Sequence, residues 1–210
     1  MAKYTNGANG FFSGKVGNVV GSSWLDKNYV KRVPKVSDKP KSEKQLAQQA
    51  RFALAVRILQ PIKDLLFTFR RHPKAPSGFN LAVRQVLADT IQGEYPNFTV
   101  DYSKLIITRG IWGIAECAEV LADNGSLYIG WFAGVFRPNS YGDDAVCILV
   151  YEPISNTYLR SSEGVFRSHG MVAISLPETW AGKTIHTYLY CVSHQGAYSN
   201  SVYAGPAWNN

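Results

Sequence analysis

The chain has 210 residues, of which 46% are hydrophobic, 13% aromatic and 18% charged. That balance excludes disorder and fits one large domain or two small ones, and no apolar run reaches the ~18 residues of a membrane-spanning helix. The net charge of +7 is unevenly placed: residues 1–75 carry fifteen basic and four acidic residues, and residues 76–210 carry seven and eleven.

A basic section joined to a mildly acidic body fits attraction to nucleic acid or another acidic partner; a solvated surface is the plainer alternative. The opening MAKYTNGANGFFSGKVG lacks the apolar core of a secretory signal, so the expected site of synthesis is the cytoplasm. Cys117, Cys147 and Cys191 form no C-x-x-C pair. Free buried thiols are expected, with a Cys147–Cys191 disulfide as the alternative should their strands pair.

Residues 1–41 read as an extended, basic, glycine-rich arm and linker. Gly7, Gly10, Gly14, Gly17 and Gly21 are too dense for a helix, at ~1 kcal/mol each relative to Ala. Phe11, Phe12, Val16, Val19, Trp24 and Tyr29 are side chains that favour strands and need a covering surface. They are the candidate docking residues of the arm, and WLDKNYVKRVP, from Trp24 to Pro34, reads as one strand.

The second segment, residues 42–93, reads as two or three helices. Ser42 and Gln45 form a capping-box pair, and Leu46, Ala50, Ala53, Val56 and Leu59 recur at helical spacing. Pro61 ends that helix, kinks it or opens another, and IKDLLFTF continues the helical character. A further helix is expected from Asn80 to Gln92 behind Ser77, with Phe79, Val83, Val86 and Ile91 on its buried side and Gly93 as its stop.

From residue 94 to 210 the period becomes two. Strands are expected at 98–102, 104–108, 115–121, 127–132, 145–152, 157–160, 171–175, 184–193 and 201–203. This predicts an antiparallel β-sandwich resembling an immunoglobulin or fibronectin fold, with Trp131 as a core anchor, and an α+β chain overall.

The ordered series GKVGNVVGSSW, YVKRVP, Ser42-x-x-Gln45 with Arg51-Phe52, GFNLAV, EYPNFTVDYSKLIITRG and SNSVYAG resembles a Bacteroidetes family catalogued as a domain of unknown function. The resemblance spans nearly the whole chain and implies no established activity. More loosely, the glycine-rich arm, the R-x-P turn and the Gln/Arg-rich helix look like small virion proteins of tailed phages, which would imply incorporation into a particle.

Catalytic patterns are sparse. His72, His169, His186 and His194 show no metal-ligand spacing, and neither H-E-x-x-H nor G-x-S-x-G occurs. Gly14-Lys15-Val16-Gly17 is not a P-loop, and Asp143-Asp144 reads as a solvated turn. Candidate phosphate contacts are Lys31, Arg32, Arg70, Arg71 and Lys74, although the last three also suit the end of a helix. The expectation is a non-enzymatic assembly protein without cofactor or metal, self-associating or docking on a larger particle through its arm and helices. The alternative is a nucleic-acid-binding protein using the basic section. An enzyme or carbohydrate-binding module on the sandwich surface is the third reading.

Overall fold

The computed structural model describes residues 2–3, 12–24, 27–35, 39–69, 76–134, 138–161 and 164–209. The chain divides into two units, Met1–Ser42 and Glu43–Asn210.

In the first unit the backbone is extended, as the glycine density requires, and its strands pair with one another. Strands β1 (Ala2–Lys3), β2 (Gly14–Val16), β3 (Val19–Trp24) and β4 (Lys27–Arg32) form an antiparallel sheet in the order β1-β4-β3-β2. The single strand expected from Trp24 to Pro34 is therefore two: Trp24 ends β3 opposite Lys27, the first residue of β4. Gly21, at the centre, lets Phe12 close over the sheet, because a Cβ there would collide with the Phe12 carbonyl and ring.

The second unit opens with helix α1 (Glu43–Leu59), which starts directly after Ser42. Pro61 sits in the 3-10 turn Gln60–Ile62 that follows, and a second such turn spans Leu65–Phe69. Helix α2 (Gly78–Gln85) is capped by Ser77, whose Oγ accepts from the Asn80 N–H at 3.3 Å. It runs into a π-turn over Val86–Thr90, and the chain then turns to strand sooner than its apolar pattern suggests. Strands β5 (Ile91–Glu94) and β6 (Asn97–Val100) make a short hairpin, and Gly93 lies within β5 rather than stopping a helix. The strand expected at 104–108 is instead a 3-10 turn, Tyr102–Lys104, followed by an irregular segment held by Ser201, whose Oγ accepts from the Ile107 N–H at 2.8 Å.

The remaining seven strands form the expected antiparallel sandwich. They are β7 (Cys117–Asp123), β8 (Ser126–Trp131), β9 (Ala145–Glu152), β10 (Thr157–Arg160), β11 (Met171–Ser175), β12 (Lys183–Val192) and β13 (Val202–Asn209). One sheet has the order β11-β8-β7 and the other β10-β9-β12-β13. Between them pack Ile129, Trp131, Ile148, Val150, Ile185 and Leu189, all buried. The outer face of the four-stranded sheet is covered as well: Leu149, Tyr151, Tyr188 and Tyr190 share a second core with Ile58, Leu59, Leu66 and Val86 of the helical segment. A sheet buried on both faces explains the near-continuous apolar runs AVCILVY and YLYCV. The strands bearing Cys147 and Cys191 do pair, but Cys147 lies opposite Tyr190 and Cys191 opposite Val146. These adjacent register positions point to opposite faces, so both thiols are free.

Candidate functional site

Of the residues singled out by the sequence, Phe12, Val16, Val19, Trp24, Tyr29, Lys31 and Arg32 lie in the first unit, where the strand period sorts them. Val16 lies opposite Val19, Val19 opposite Arg32, and Gly21 opposite both Gly14 and Val30. Directly opposed residues share a face, so Val16, Val19 and Val30 form an apolar face, with Phe12 over Gly21 and Arg32 at the margin. Val16 is 60% exposed there.

The other face carries Lys15, Val20 and Lys31 in one row, Ser22 and Tyr29 in the next, and Trp24 with Lys27 in the third. The Ser22 Oγ donates to the Tyr29 hydroxyl at 3.2 Å, which fixes the phenol across the strands. Trp24 is 56% exposed. Lys31 and Arg32, adjacent in sequence, thus fall on opposite faces, and the docking residues split three and two: Phe12, Val16 and Val19 against Trp24 and Tyr29. Phe11, Arg70, Arg71 and Lys74 lie outside the described residues. Sequence reasoning missed that Lys15 and Lys27 join Lys31, and that Val30 joins the valines. The alternation K-N-Y-V-K-R holds that signal once β4 is known to start at Lys27.

The second unit holds a buried polar cluster at one end of the sandwich. Asp144 is fully buried and Arg167 only 2% exposed, so the expected solvated turn applies to Asp143 alone. The Asp144 carboxylate accepts from Trp112 Nε1 at 2.9 Å, from the Tyr141 N–H at 2.8 Å and from Arg167 Nε at 3.4 Å. The Arg167 guanidinium also donates to the carbonyls of Ile114 (2.9 Å) and Gly113 (2.8 Å) and to Cys191 Sγ (3.2 Å). Gly113 is required beside it, since a Cβ would run into the Ser140 hydroxyl. With these partners inside the protein, the pair clamps three loops rather than presenting a charge to a ligand.

Other titratable groups are tuned by burial. Burial pushes the Cys191 thiol up to about 11 and raises Cys147, which disfavours the nucleophilic thiolate. His186 stacks on Tyr102 at 4.2 Å, its Nδ1 lies 2.8 Å from the Tyr203 hydroxyl, and burial pushes its pKa down to about 4. Glu152 is buried, which by itself would raise its carboxyl, but donors from Ser155, Ile154 and Lys183 hold it below the ordinary value. Among the described residues no group of three or more His, Cys, Asp or Glu side chains is arranged to hold a metal ion.

A family model described as a family of unknown function, DUF6266, matches residues 11–205. The chain belongs to this family. The match includes residues of both units. No curated protein matches the chain. Among solved structures it is similar to the fn3 domain of human collagen alpha-1(XX), at 15% identity and a TM-score of 0.34, covering 47% of this chain and 85% of that one. It is also similar to titin module A71 from human cardiac muscle, at 11% identity and a TM-score of 0.33, covering 45% and 88%. A family 76 glycoside hydrolase from a bovine Bacteroides thetaiotaomicron strain aligns at 15% identity and a TM-score of 0.33, covering 46% of this chain and 20% of that one. Among the described residues no helix is long and apolar enough to cross a membrane.

Proposed function

We propose that this DUF6266 protein is a non-enzymatic assembly protein. The second unit serves as a rigid body, and the N-terminal sheet joins it to further copies or to a larger particle, a virion among the candidates. The observation that carries this reading is the apolar face of the sheet. Phe12, Val16, Val19 and Val30 gather on one side of a unit of 42 residues. A sheet this small has little core of its own, whereas each such side chain contributes about 1.5–3 kcal/mol when fully buried. The second unit, by contrast, has two buried clusters.

Removing residues 1–42 tests the proposal. The truncated chain is expected to keep the cooperative unfolding of the second unit and to sediment as a monomer, while the full chain sediments as a larger species. A truncated chain that retains the full assembly would overturn the reading, and so would a full chain that is monomeric at every concentration.

A further inference from the structure

The face of the N-terminal sheet opposite the valines has a different chemistry. Lys15 and Lys31 flank Val20, Tyr29 is held by Ser22, and Trp24 stands beside Lys27. The three lysines are exposed, and none has an acidic partner among the described residues. The whole unit carries eight basic residues against two acidic ones, Asp26 and Asp38, both outside the described residues. Trp24 also differs in setting from Trp131 and Trp180, which are buried in the sandwich core.

We propose that this face binds single-stranded nucleic acid. Lysine ammonium groups are compact charges suited to phosphate, and consecutive rows on one face of a strand lie about 7 Å apart, so they track an extended backbone. Trp24 and Tyr29 supply flat surfaces between those charges, on which unpaired bases stack regardless of sequence. Duplex bases are already stacked on each other and would leave these rings without a partner; an acidic peptide offers charge but no base plane. The reading goes beyond the assembly proposal and uses the opposite face, so either can fail alone.

The test uses the full chain and a fluorescein-labelled oligo(dT) of about 16 nucleotides, a length matched to a small binding sheet, with anisotropy read at several salt concentrations. Binding is expected to weaken with salt. Lys15→Gln/Lys27→Gln/Lys31→Gln should reduce the log–log slope by about 2, at roughly 0.7 per phosphate contact on a single strand. Removing the same charge elsewhere, with Lys44→Gln/Lys63→Gln/Lys104→Gln, should leave most of the slope in place. Trp24→Ala should weaken binding roughly five- to hundredfold with the slope unchanged, and Trp24→Phe should restore most of it. The proposal is overturned by a wild-type slope in the first triple variant, by an equal loss in the second, or by full binding in Trp24→Ala. Tighter binding to duplex DNA or to phosphatidylserine vesicles than to oligo(dT), or no binding at low salt, overturns it too.

Discussion

Asp144 and Arg167 show what a charged residue does when a sandwich buries it. The hydrogen bonds around them tie the segment at 112–114, the turn before β9 and the approach to β11 to one another. Removing one partner leaves the other buried without its counter-charge, at about 3–5 kcal/mol. Asp144→Ala should therefore lower unfolding free energy in urea by that order, and a loss below about 1 kcal/mol would show that the clamp is dispensable. His186 gives a second prediction at this scale. Its folded pKa of about 4 lies below the ordinary 6.5, so between those values the unfolded chain binds the proton more readily. Stability should accordingly fall as pH drops from about 6.5 to about 4, and His186→Gln should flatten that part of the profile. The contribution of Glu152 runs lower on the scale: its folded pKa is depressed, so its stabilisation is present above the ordinary carboxylate range and is lost as pH falls through the folded value. An unaltered profile between pH 6.5 and 4 in His186→Gln would contradict the burial of that ring.

At the scale of elements, α1 is the most instructive. The sequence-based face of Leu46, Ala50, Ala53, Val56 and Leu59 is only partly the buried one: Ala55, Ile58 and Leu59 are buried, whereas Leu46 and Phe52 are exposed. The helix is packed over its C-terminal half, where Tyr158 donates to the Ile58 carbonyl at 3.1 Å and Asn156 to that of Arg57 at 3.0 Å. Arg51 donates to the carbonyls of Leu87 and Ile91, at 2.7 and 3.0 Å, and so fastens the helix to the π-turn after α2. Apolar residues on more than one side of α1 left its period ambiguous, and only tertiary contacts choose between the stripes. Ile58→Ala should cost about 2–5 kcal/mol and Phe52→Ala less than about 0.5, measured as shifts in denaturation midpoint. Strands were more legible than helices. β9 and β10 match their expected bounds to the residue because turn residues bound them, whereas the strand expected at 201–203 runs on through Gly205 and Pro206 to Asn209. Pro206 is tolerated there because, among the described residues, β13 is an edge strand paired only with β12.

For the whole molecule, the change of period near residue 94 and the charge asymmetry were both visible in the sequence. The pairing of β1–β4 with one another was not, because hairpin register depends on turns that composition does not specify. That register turns a list of aromatic, apolar and basic residues into two faces, and without it Lys31 and Arg32 looked like one cluster. The helical layer over the four-stranded sheet was likewise hidden, because it rests on contacts between distant segments, such as Tyr188 donating to the Tyr102 carbonyl at 2.9 Å. The N-terminal sheet, with its own apolar face, is where the assembly proposal locates self-association. The direct measurement is sedimentation equilibrium of the intact chain beside Val16→Asp/Val19→Asp, which puts two charges on the apolar face and leaves the lysine face intact. The account predicts a concentration-dependent assembly for the wild type and a folded monomer for the variant. A variant that assembles with the same mass and affinity as the wild type would contradict it.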